Sequence, residues 1–207
     1  ELFAEDIEAL ANGALDNLVI GAPDGADKPH DEGQRRAREL ATRLFGEEGV
    51  EDKLFKIAKV HTDANTTKVL GLEGSVAGKD CIVVDDMIDG GGTMANTASM
   101  LKSRGARSVT CYATHGIFSG AAVEKVLSVK PDGLNYAVDK LVVTDTLPGT
   151  KEKIAAYVRQ HPKAANRVEI LSVADMVLNE ILRAHAKTAA PQQPAPVGPD
   201  SQGFRCR

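Results

Sequence analysis

At 207 residues the chain can bury one good core and carry a tail or small appendage. A formal charge of −4 without a basic block, and only 4% aromatic residues, argue against nucleic acid as a partner. No apolar run approaches a membrane span and no secretory signal is visible, so no membrane partner is expected and the expected location is cytoplasmic.

Strand and helix signals alternate along the chain. Glu5 to Ala11 reads as a short helix, and Asn17 to Ile20 as a strand ending at Gly21-Ala22-Pro23-Asp24. Asp31 with Gln34 resembles a capping box and opens a helix through Phe45, with Ala37, Leu40, Ala41 and Leu44 on one face. Leu54 to Ala58 is a second strand. Lys59 to Gly74 is polar and threonine-rich without a clear period, and reads as a long loop or arm. Asp80 to Val84 is the central strand, followed by a glycine loop and a helix from Met94 to Arg104 that Gly105 closes. Ser108 to Thr114 is a strand and Gly120 to Ser128 a helix; Lys140 to Thr144 is a strand and Lys151 to Arg159 a helix. Arg167 to Leu171 is the last strand, and Ser172 with Asp175 caps a helix reaching about Ala186. Strands separated by helices imply an α/β fold, a mainly parallel twisted sheet with helices on both faces. The expected organisation is one domain over residues 1–187 and a disordered Pro-rich tail over 188–207.

The most informative stretch is Cys81-Ile82-Val83-Val84-Asp85-Asp86-Met87-Ile88-Asp89-Gly90-Gly91-Gly92-Thr93. An apolar strand ends in two adjacent carboxylates, then a third, then three glycines and a threonine before a helix. Loop amides and the helix dipole favour a phosphate. The carboxylates must face hydrogen-bond donors or positive charge instead. A sugar phosphate with bound Mg²⁺ meets both demands, with ribose hydroxyls and metal at Asp85 and Asp86 and the phosphate at Gly90 to Thr93. Asp89 is as readily a helix cap as a ligand contact. Gly90 to Ala95 also satisfies G-x-G-x-x-A, but the next strand ends in His115-Gly116 without the acid a dinucleotide site needs. A P-loop is excluded because no Gly-Lys-Ser/Thr follows the glycines. Three cysteines, an odd count without metal-ligand spacing, read as reduced and structural.

Val84 to Thr93 resembles the ribose-phosphate loop of type I phosphoribosyltransferases and of the ribose-phosphate pyrophosphokinase (PRPP synthetase) family. Ala113 to Gly120, Val142 to Pro148 and Ile170 to Ala174 resemble the synthetase family in order and rough spacing. Asn17 to Ile20 with Pro23-Asp24, and then Arg35 to Arg38, resemble the start of its second domain.

The resemblance implies a phosphoribosyltransferase-like fold and transfer of the β,γ-diphosphoryl group of ATP to the 1-hydroxyl of ribose 5-phosphate, with Mg²⁺ as cofactor. It also implies a homo-oligomer and a missing N-terminal half that supplies much of the ATP site. The chain begins at Glu1 rather than Met, in keeping with a fragment. By the same resemblance Asp85, Asp86 and Asp89 lie at ribose, with Asp85 and Asp86 at the metal, and Gly90, Gly91, Gly92 and Thr93 hold the 5-phosphate. Lys59 matches a catalytic-loop lysine, and His61 occupies the position of a catalytic arginine. Ser172, Val173 and Ala174 resemble part of a regulatory phosphate or nucleotide site, which a helix cap explains equally well.

Two departures stand out. Histidine is mostly neutral at pH 7 where arginine is charged. Gly90 stands where the family carries threonine, removing one hydroxyl from the phosphate. These departures sustain a non-catalytic, synthetase-associated regulatory subunit as an alternative. A type I phosphoribosyltransferase is the other.

Overall fold

A computed structural model describes residues 1–12, 14–23, 32–63, 66–128 and 136–189, with side chains at 58–63, 66–70 and 187–189 left aside. Five parallel strands form the central sheet: β1 (Leu18–Gly21), β4 (Asp80–Ile88), β5 (Ser108–Gly116), β6 (Lys140–Thr144) and β7 (Val168–Leu171), in the order β1-β4-β5-β6-β7. Among the described residues the α-helices are α1 (Leu2–Ala11), α2 (Glu32–Phe45), α3 (Gly92–Ser103), α4 (Ala122–Leu127), α5 (Thr150–Gln160) and α6 (Ala174–Ala189). The expected α/β class is observed.

Alternation along the strands divides the core between the two faces. Cys81, Val83, Cys111, Ala113, Leu141 and Val143 bury against α3, α4 and α5 residues such as Leu101, Val126 and Ile154. Ile82, Val84, Tyr112 and Val142 bury against Ile7 of α1 and Ala37 and Ala41 of α2. Tyr112 is fully buried by its ring, and its hydroxyl donates to Asp6 Oδ2 at 2.7 Å, fastening α1 to β5. Burial pushes the thiols of Cys81, to about 12, and Cys111 upward, so both behave as apolar side chains.

Three expectations are corrected. Lys59 to Gly74 is not a loop: β2 (Lys56–Asp63) and β3 (Thr66–Glu73) form an antiparallel two-stranded sheet of their own. Register shifts between Ala58 and Lys59 and between His61 and Asp63 interrupt the alternation, which hid the strands from a period-2 reading. The strand expected over Leu54 to Ala58 does not join the central sheet. Leu54 makes one bridge to Ile20 and the chain then leaves into β2. Finally, β4 does not stop at Val84. Because β5 continues to Gly116, pairing extends through Asp85↔Ala113, Met87↔His115 and Ile88↔Gly116.

Residues Glu1–Val173 form one compact unit and the chain from Ala174 another, described here as α6. The Asp31 cap and the Pro-rich tail lie outside the described residues. Among those described, no helix is long and apolar enough to cross a membrane.

Candidate phosphate and carboxylate site

The site stands at the carboxyl end of β4, in the middle of the parallel sheet, where ligands of open α/β sheets bind. Its carboxylates therefore belong to a paired strand rather than to a free turn. Asp85 Oδ1 accepts from the Asp86 amide at 2.9 Å, and Asp86 Oδ1 accepts from the Met87 amide at 2.8 Å. The two acids are neighbours in a strand, yet both reach one guanidinium. Arg36 of α2 lies 3.5 Å from Asp85 Oδ1 and 3.5 Å from Asp86 Oδ2.

Burial, joined by the adjacent Asp86, raises the Asp85 carboxyl to about 6. Burial also pushes Asp86 upward, but the hydrogen bond with Asp85 and the Arg36 charge outweigh it and hold Asp86 below its ordinary range. The site thus concentrates negative charge that Arg36, 3.5 Å from each carboxylate, only partly offsets.

Asp89, Gly90 and Gly91 carry the chain from β4 into α3, which begins at Gly92. Gly91 has a positive φ of 74°, and a Cβ there would come within 2.8 Å of the Ala122 carbonyl oxygen. Only glycine meets both conditions. Gly90 and Gly92 have open space where a Cβ would stand.

The loop is fastened from outside. The amides of Phe118 and Ser119 donate to the carbonyls of Ile88 and Asp89, each at 3.0 Å. Phe118 adopts a left-handed φ of 49° to do so, with its ring against Gly116, where a Cβ would lie 2.5 Å away. A cleft of about 430 Å³ opens above, lined by Asp85, Met87, Ile88, Asp89, Gly90, Gly91, Gly92, Thr93, Met94 and Lys125.

The sequence-expected groups Asp85, Asp89, Gly90, Gly91, Gly92 and Thr93 are thus brought together around one cavity, with Asp86 joined to Asp85. Lys59 and His61 have their backbone in β2 of the separate sheet, paired with Val69 and Thr67. Ser172 and Val173 both engage Asp145: the Val173 amide donates to its Oδ1 at 2.9 Å, and the Ser172 hydroxyl helps hold that carboxyl below its usual range. Ala174 is the first residue of α6. His115, at the end of β5, has Nδ1 2.8 Å from Thr146 Oγ1, and Thr146 donates in turn to the Thr114 carbonyl at 3.1 Å, a structural network.

Sequence reasoning missed two residues, Arg36 and Lys125. Arg36 lies 49 positions from Asp85, and Lys125 on a short helix after the next strand. Both reach the site only through the way the strands are ordered.

Mg²⁺ takes oxygen ligands, typically one or two carboxylates together with substrate phosphates and waters. Asp85 and Asp86 fit that donor set. Among the described residues no group of three or more His, Cys, Asp or Glu side chains is placed to hold a metal ion.

Residues 25–190 match the family model described as "Phosphoribosyl synthetase-associated domain". The chain is 36% identical over 197 residues to a ribose-phosphate pyrophosphokinase of Pasteurella multocida, covering 88% of this chain and 56% of that protein. It is 38% identical over 167 residues to the enzyme of that name from Nitrosomonas europaea, covering 81% and 44%. The phosphoribosylpyrophosphate synthetase of Mycobacterium smegmatis matches in structure with a TM-score of 0.65 at 27% identity, over 90% of this chain and 50% of that one. The chain spans about half the length of the relatives it matches.

Proposed function

The chain belongs to the phosphoribosyl synthetase-associated domain family, and from that premise we propose that it is the ribose-5-phosphate-binding half of a cytoplasmic, homo-oligomeric ribose-phosphate pyrophosphokinase. The observation that carries the reading is the cleft in which β4 carboxylates and a glycine loop at the start of α3 meet.

Asp85, Asp86 and Asp89 accept hydrogen bonds from the ribose hydroxyls. The amides of Gly90 to Thr93 and the α3 dipole hold the 5-phosphate. The carboxylates cannot face the phosphate, so the two ends of the ligand are distinguished and its 1-hydroxyl has one orientation. Positioning of this kind is most of what diphosphoryl transfer asks of a protein. Asp85 and Asp86 would hold Mg²⁺ together with the substrates, and the ion would supply positive charge against the phosphates. Lys59, on β2, is the catalytic cation, with His61 beside it in sequence; ATP is bound chiefly by the part of the protein that precedes this chain.

The test is AMP release from ATP and ribose 5-phosphate by the full-length protein, with Asp86→Asn alongside. The expected outcome is turnover in the wild type and a severe loss in the variant at unchanged thermal stability. Equal rates would remove Asp86 from the site.

His61 and Gly90 also support a second reading, a synthetase-associated subunit without turnover. Loss of a transition-state cation costs about 10³ or more in rate. A properly assembled protein that binds ribose 5-phosphate and releases no AMP would favour that reading.

A further inference from the structure

We infer that Lys125 is a phosphate-binding residue of the sugar-phosphate site, the cation that lets a dianion enter a cleft rich in carboxylates. The inference rests on the ribose-5-phosphate reading above and adds to it a residue that no sequence motif marked.

Position comes first. The glycine loop is seated on α4. At Gly91 a Cβ would come within 2.8 Å of the Ala122 carbonyl oxygen and 3.0 Å of Val126 Cγ2, so loop and helix are in direct contact. Ala122 and Val126 point into that contact and are buried, whereas Lys125 is exposed and lines the cleft together with Gly90 to Thr93. Rigid packing beneath the loop therefore fixes where the lysine starts.

Charge comes second. Asp85 and Asp89 line the same cleft, and the Asp86 amide donates to Asp85 Oδ1 at 2.9 Å. A phosphate arriving at the loop amides meets this negative field at short range. Lys125 is the one cationic side chain among the described residues that line the cleft, and no hydrogen bond or ion pair ties up its ammonium among them. Arg36 is already turned to the two β4 carboxylates. An ammonium on a flexible stem, with three donors, is suited to meeting a phosphate as a point charge. A lysine that only kept α4 soluble would gain nothing from a place on the cavity wall.

Calorimetric titration of ribose 5-phosphate into the full-length protein tests this without depending on turnover, using wild type, Lys125→Gln and Lys125→Arg. The expected result is about tenfold weaker binding for Lys125→Gln, as for loss of a hydrogen bond to a charged group, with the loss shrinking as salt rises. Lys125→Arg should restore most of the affinity, and all three proteins should share one thermal midpoint. If the wild type binds and Lys125→Gln binds equally well, the lysine is not a phosphate ligand although the site reading stands. If the wild type itself fails to bind ribose 5-phosphate, the site reading falls and this inference falls with it.

Discussion

Gly90 and Gly91 are adjacent and chemically identical, yet the structure gives them opposite requirements. Gly91 sits at φ 74° against the Ala122 carbonyl, so Gly91→Ala adds both backbone strain and a contact that a neighbour must yield. The expected cost is about 1–3 kcal/mol in denaturant unfolding, with weaker sugar-phosphate binding because loop and α4 separate. Gly90 has neither restriction, since its φ lies outside the left-handed region and a Cβ there meets nothing within 4 Å. Gly90→Thr should therefore fold normally. If its hydroxyl reaches the bound phosphate, affinity for ribose 5-phosphate rises about tenfold, the return of one hydrogen bond to a charged group. Titration of both variants checks the pair: a Gly90→Thr that binds no better would separate the phosphate from this side of the loop.

At the scale of elements, β4 and β5 are tied together at their amino-terminal ends. Asp80 opens β4 and Arg107 precedes β5; Arg107 Nε donates to Asp80 Oδ1 at 2.8 Å, and Ser108 Oγ donates to the same oxygen at 2.6 Å. The hydrogen bond from Arg107, then that from Ser108, hold the Asp80 carboxyl below its ordinary value against the opposing effect of burial. A depressed carboxylate pKa contributes stability above the unfolded-state value, near 3.8, and loses it as pH falls through the folded value. Arg107 is largely exposed, so screening limits the effect, and Asp80→Asn should cost about 1 kcal/mol at pH 7 and progressively less as pH falls below 3.8. Urea unfolding of both proteins over a pH series from 7 downward reads that difference. The β2–β3 sheet makes a separate prediction. Ala58 pairs with Gly71, so residues 59–70 can be replaced by Asn-Gly, closing the hairpin early while keeping the buried Phe55 and Ile57. Thermal stability should change little, whereas AMP release by the full-length protein should vanish if Lys59 is the catalytic cation. Elements with one clear period were legible from sequence: β6 falls on its expected bounds, and α2 ends at Phe45 as expected. The β2–β3 pair was not, because its irregular register spoils the alternation that marks a strand. The run through Asp85 to Ile88 was also hidden, since only the matching length of β5 makes those residues a strand.

For the whole molecule, the acidic loop and glycines could be read from local sequence because strand, turn and helix N-terminus are contiguous there. Arg36 and Lys125 could not, because two different chain segments deliver them to β4. That division bears on what this chain can do by itself. The proposed sugar-phosphate site draws on α2, β4, the glycine loop, α3 and α4, all within Glu1–Val173. Transfer from ATP requires a second anion held in line with the ribose hydroxyl and further positive charge around it. The cleft is bordered by Asp85 and Asp89 and carries a single lysine among its described lining residues, a poor setting for a triphosphate as well. The chain also spans only about half of its relatives' length. The isolated chain should therefore bind ribose 5-phosphate, gaining about 2.7 kcal/mol of stability at a ligand concentration one hundred times Kd. It should release no AMP, whereas the full-length protein should do both. Differential scanning calorimetry with and without the sugar phosphate, followed by an AMP assay on the same preparation, measures the two halves of this expectation. Release of AMP by the isolated chain would mean that the ATP site, too, is built from these residues.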